Sequence, residues 1–204
     1  MSFDLRPYMP ERPLESQLAE GGVNAHANCV PAEHLAVLQD LEYVDTLEPQ
    51  DITNALFPPD GIAKGGMSFE AVVDYIKSRP DAYPNLPTIT VQNPSNLLVV
   101  LELYGKDGGF PVVISLCVDG PTVLAAPCSS STIGHAVSIV AHLPNDNWII
   151  RNPWTGLYNV INTSQDLLAA YEGGLTVFGR SVADSLGNTG RSRRRIGVRG
   201  GRRQ

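Results

Sequence analysis

No apolar run in this 204-residue chain approaches the roughly 20 residues needed to cross a bilayer. The opening MSFDLRPYMPERP lacks a basic start followed by an apolar block, so no secretory signal is read there and synthesis in the cytoplasm is expected. Charged residues are scarce at 18%, whereas 19 glycines and 16 prolines indicate a turn-rich, mixed structure with long loops. The glycine pairs beginning at 21, 65, 108, 173 and 200 form no phosphate-cradling strand-to-helix loop. Three cysteines, Cys29, Cys117 and Cys128, show no zinc-site spacing. His26 and His34 flank Cys29, but a fourth ligand is missing, so neither metal nor cofactor is expected.

What is present suits one domain with one core, since 43% of the residues are hydrophobic. The net charge of −6 hides a division: seven of the fifteen Lys and Arg lie between Arg191 and Arg203, leaving −13 on residues 1–190. An acidic body does not suit nucleic-acid binding. The terminal RSRRRIGVRGGRR could contact phosphates, an anionic cell-wall polymer or an acidic neighbouring subunit, and its composition otherwise reads as a solvated, disordered tail. Residues 1–24, with Pro10, Pro13 and the pair Gly21-Gly22, read as an extended arm; 25–180 form the domain and 181–204 the tail.

Within the domain, Pro31 suits a first helical turn, and Leu35, Leu38 and Leu41 follow at helical spacing. The block from Leu47 to Gly66 reads as loop with one short helical turn. Ser68 caps a clearer helix that places Phe69, Val72, Val73 and Ile76 on one side and stops at Arg79-Pro80. A helix is expected between Pro94 and Gly105, with a strand as the alternative, and residues 110–118 form a strand buried on both faces. GHAVSIVAHL and NWIIRN then read as two strands joined by a turn at residues 144–147. Thr163 or Ser164 caps a short helix that Gly173-Gly174 ends, before a last strand in LTVFGR. Helices first and an antiparallel sheet after them make an α+β arrangement. Cys117 and Cys128 could bridge neighbouring strands or pack as small apolar residues, and the second is expected.

Cys29 stands in NCVPAEHL, at or just before a helix N-terminus, where exposed N–H groups and a nearby imidazole would favour a thiolate. Of four histidines, His26 lies in an irregular loop, His34 sits a turn and a half into the helix, and His142 ends a strand near a turn. His135 opens the first hairpin strand and Asn152 ends the second. Antiparallel return brings those two ends together, so the Asn152 carboxamide oxygen can accept from one ring nitrogen and leave the other for Cys29. Trp154 follows in NPWTG, placed to cover the Asn–His bond from water. Ordinary readings compete: a buried structural thiol, a core histidine, a turn asparagine before Pro153.

Together NCVPAEHL, GHAVSIV and RNPWTG resemble a papain-superfamily cysteine peptidase, closest to the bacteriocin-leader-processing, double-glycine-peptidase-like branch, over about residues 17–180. The resemblance implies a papain-like α+β fold, with N-terminal helices and a nucleophile at a helix N-terminus packed on a C-terminal antiparallel sheet. It implies Cys29 as nucleophile, His135 as general base and acid, and Asn152 as orienter. The family's oxyanion hole adds a glutamine about six residues before the cysteine to the cysteine's own N–H. Here Gln17 lies twelve residues upstream and Asn24 five, and both are candidates. Val30-Pro31 also departs from the Gly-Pro usual in that branch.

The expected function is a thiol hydrolase cleaving a peptide or amide bond, with a peptide or peptidoglycan substrate. The basic tail suggests a phage- or virion-associated wall peptidase. The alternatives are a non-catalytic structural or interaction protein on a peptidase-like scaffold, and acyl transfer by the same triad.

Overall fold

The computed structural model describes residues 27–41, 47–57, 66–83, 86–106, 111–120 and 125–179. The arm 1–24, the tail 181–204, His26 and both oxyanion candidates, Gln17 and Asn24, lie outside the described residues. The architecture is α+β, with three helices preceding the first strand and every strand pair antiparallel. None of the described helices is long and apolar enough to cross a membrane.

Helix α1, Cys29–Asp40, is buried on nearly every side, from Cys29 through His34 to Leu38. Apolar burial all round marks a helix at the centre of its layer rather than on the surface. Helix α2, Pro49–Leu56, corrects the expectation of a loop with a single turn. Its start uses Pro49 at the first helical position and a reciprocal pairing of Glu48 and Asp51, instead of the usual Ser or Thr cap. In α3, Phe69–Lys77, the Ser68 hydroxyl accepts from the Ala71 N–H at 3.1 Å, and Phe69, Val72, Val73 and Ile76 are buried. The alternation between helix and strand after Pro94 resolves as helix α4, Leu97–Lys106.

The sheet has six strands in the order β1-β6-β2-β3-β4-β5. These are β1 Ile89–Gln92, β2 Val112–Val118, β3 Ile133–His142, β4 Trp148–Asn152, β5 Leu157–Ile161 and β6 Tyr171–Phe178, with α5, Ser164–Ala170, before the last. The period-two alternation of β2 and β3 divides the core. Val113 and Ala136 face α1, α2 and α3, whereas Val112, Ile114, Leu116, Val137 and Ile139 face α4 and α5. Both faces of the sheet are therefore covered, which explains why Val112–Val118 reads as a continuous apolar run.

Two strands escape the sequence reading, and two further expectations need correction. The edge strands β1 and β5 are short and only partly buried, so their sequences carry no strong strand signal. Gly173-Gly174 does not end α5. The helix stops at Ala170, and the glycines lie inside β6 with φ of 124° and 75°, beside irregular pairing with β2 at Ser115 and Leu116. Cys117 and Cys128 form a disulfide with a Cα–Cα distance of 5.2 Å, instead of packing as separate thiols. The segment before β3 folds back along β2, where the Ala126 N–H reaches the Cys117 carbonyl at 3.0 Å, and this return brings the two sulfurs together.

Candidate active site

The β3–β4 pairing carries His135 and Asn152 to one end of the sheet. His135 Nε2 lies 2.9 Å from Asn152 Oδ1, with His135 3% and Asn152 1% exposed. The same Asn152 oxygen accepts the Trp154 backbone N–H at 3.0 Å, which fixes the carboxamide orientation. His135 must then donate from Nε2, so Nδ1 is the nitrogen with a free lone pair. The Trp154 ring packs beside the imidazole, with centroids 5.3 Å apart and planes tilted by 55°. A water-excluded hydrogen bond of this kind holds both the ring plane and the tautomer.

Cys29 is the first residue of α1 and is 5% exposed. It and His135 line one cavity of about 610 Å³, enclosed by the N-termini of α1 and α3 and by β1, β6, β2 and β3. Backbone N–H groups of Ala136, Val30 and Cys29 itself act on the sulfur, and Ala136 is the residue after His135. Among the described residues no hydrogen bond joins the thiol to the ring. Burial pushes the Cys29 thiol above its ordinary value, with the Glu33 charge adding to the rise and the three N–H groups opposing it. Burial likewise lowers His135, against the bond to Asn152. Both shifts favour the neutral forms of the thiol and the imidazole, against the thiolate that a helix N-terminus alone would favour.

The remaining polar residues near Cys29 have other partners. Asn28 is fully buried; its amide donates to Gln50 Oε1 at 3.1 Å and its oxygen accepts from Thr53, so its side chain ties α1 to α2. His34 has an orienting partner that its sequence context does not reveal: Nδ1 is 2.8 Å from the Val30 carbonyl and Nε2 2.9 Å from Thr176 Oγ1. A carbonyl only accepts, so Nδ1 donates, Nε2 accepts, and no lone pair remains for Cys29. His142 stacks on Trp148 with ring centroids 3.8 Å apart and lies 3.4 Å from Asp146.

Burial pushes the His34 pKa down to about 4. Between that value and about 6.5 the unfolded chain binds a proton that the folded chain does not, so stability is full above this window and is lost as pH falls through it. The loss should reach about 3 kcal/mol near pH 4, and His34→Gln should flatten that part of the urea-denaturation profile.

A buried ionic cluster next to the site escapes sequence reasoning. Arg151 Nε is 3.1 Å from Glu33 Oε2, Arg151 Nη1 is 2.5 Å from Asp40 Oδ2, and the Ser138 hydroxyl donates to Glu33. Arg151 and Glu33 side chains are each only 2% exposed. Glu33 lies one helical turn after Cys29, and Arg151 immediately precedes Asn152. The cluster thus locks the helix bearing the thiol to the strand bearing the orienting amide. Its partners are 118 and 111 residues apart, and neither half has a sequence signature.

The fold is similar to that of solved peptidase domains. One is the peptidase domain of Streptococcus ComA, a bi-functional ABC transporter involved in a quorum-sensing pathway, with TM-score 0.47 and 11% identity over 76% of this chain and 93% of that one. Another is the Streptococcus mutans ComA peptidase domain in complex with a small-molecule inhibitor, with TM-score 0.42, 11% identity and the same coverage. No family model and no curated protein matches the chain.

Proposed function

We propose that the chain is a thiol hydrolase acting on peptide or amide bonds, with Cys29 as nucleophile, His135 as general base and acid, and Asn152 as orienting group. One observation carries this reading: a cavity lined by a helix-N-terminal thiol also receives an imidazole whose far nitrogen is tied to a buried carboxamide. The thiol proton passes to His135 Nδ1 as sulfur attacks the carbonyl carbon. The imidazolium then protonates the leaving amine, giving a thioester. Water, deprotonated by the same ring, releases the acid and restores the thiol. The Cys29 N–H is one oxyanion donor, and Gln17 or Asn24 is proposed as the second.

Asn152→Ala tests the orienting role. It leaves the ring free to turn and to change tautomer, so kcat should fall about 10- to 100-fold with KM little changed. An unchanged kcat would remove Asn152 from the mechanism. Val30 in place of the branch's glycine and the displaced glutamine, together with burial favouring the neutral thiol, support a second reading, a non-catalytic interaction protein on a peptidase-like scaffold. An alkylation rate at Cys29 no faster than that of a free thiol at neutral pH, with no turnover, would select it. The narrower reading of a phage- or virion-associated wall peptidase has only the Arg-rich segment 191–203 behind it.

A further inference from the structure

The cavity beside Cys29 has an asymmetric wall. Glu172, at the start of β6, places its carboxylate against the Cα of Gly134, the residue before His135. A Cβ at Gly134 would lie 2.2 Å from Glu172 Oε2, so only glycine leaves the carboxylate this position. Ser115 Oγ on β2 donates to the same oxygen at 2.6 Å and holds it there. Glu70, the other carboxylate among the described residues lining the cavity, is in the first turn of α3, where exposed helical N–H groups balance it. Glu172 is not in a helical first turn, and among the described residues no Lys or Arg lines the cavity and no cation pairs with Glu172. Phe69 and Met67 supply an apolar wall along which an aliphatic stem can lie.

We propose that Glu172, fixed by Ser115 and admitted by Gly134, is a specificity-determining residue that selects substrates carrying a Lys or Arg side chain next to the scissile bond. The proposal gives the substrate class of the thiol-hydrolase reading and rests on it. Glu172 is solvent-exposed but lines the same cavity as Cys29 and His135. A carboxylate there attracts an ammonium or guanidinium and repels an acidic residue, and one lost charge is worth roughly tenfold in kcat/KM.

Two measurements on the full chain test it. In a fluorogenic peptide series differing only in Lys, Arg, Ala or Glu beside the cleavable bond, Glu172→Gln should lower kcat/KM roughly tenfold for the basic members and leave the Ala member unchanged. Gly134→Ala should act in the same direction, because its methyl displaces the flexible end of Glu172 without straining the backbone. An equal loss on all four peptides, or a wild type that prefers Glu, overturns the proposal.

The second measurement needs no turnover. Cys29 is the free thiol among the described residues, and it displaces methanesulfinate from a methanethiosulfonate to form a mixed disulfide. The rate ratio of a trimethylammonium reagent to its sulfonate counterpart should fall roughly tenfold in Glu172→Gln. An unchanged ratio overturns the cationic subsite even if the enzyme is active. A falling ratio with no peptide cleaved keeps the subsite and rejects the hydrolase reading.

Discussion

Cys29→Ala is expected to abolish peptide or amide turnover, with a loss of about a thousandfold or more, while the folded state persists. The size of the loss follows from chemistry. Without sulfur no thioester forms, and the cavity retains only binding and oxyanion stabilisation. Persistence of the fold follows from packing: the side chain is small and one residue inside the helix, so removing it should cost only about 1 kcal/mol. Circular dichroism and urea midpoint should therefore stay close to wild type while activity disappears. Retention of full activity would show that the thiol is not the nucleophile. A collapse of stability would instead make Cys29 a core residue in the ordinary sense.

Arg151→Ala should have the largest effect on stability, about 3–5 kcal/mol, because it leaves the Glu33 carboxylate buried without a cation. Burial already pushes Glu33 upward, and the Arg151 charge is the main influence opposing it. Replacing the pair together, as Glu33→Gln with Arg151→Met, removes both charges and should recover much of that loss. Activity should fall in the single variant beyond what unfolding explains, since Arg151 joins the strand carrying Asn152 to the helix carrying Cys29. Urea denaturation together with turnover below the unfolding transition separates the two effects. A single-variant loss under about 1 kcal/mol would mean that solvent reaches the cluster and that it locks nothing.

What was legible in the sequence follows from how local each signal is. The α3 cap at Ser68, the apolar run of β2 and the turn between β3 and β4 are encoded within a few residues, and they lie where those residues place them. Antiparallel return also makes the approach of His135 to Asn152 readable without coordinates. Features decided by distant partners are not readable in this way. The strand β1 exists because β6 offers it an edge, and Gly173-Gly174 continue that strand because β2 pairs beside them. The disulfide depends on a loop folding back, and the Glu33–Arg151 contact on a helix packing across the sheet. The electrostatics of Cys29 belong to the same class. A helix N-terminus argues for a thiolate, but the depth of burial, which raises the thiol, is set by the whole α1 environment.

The most direct test is the pH dependence of Cys29 alkylation by iodoacetamide, in wild type and in His135→Ala. Burial holds the thiol above its ordinary 9.0 and His135 below its ordinary 6.5, so the two groups titrate far apart. If His135 draws the proton from Cys29, the wild-type rate should rise once below pH 6.5, hold through neutrality and rise again above pH 9. His135→Ala should lose the lower rise and keep the upper. Superimposable profiles in the two proteins would contradict the assignment of His135 as the base that activates Cys29.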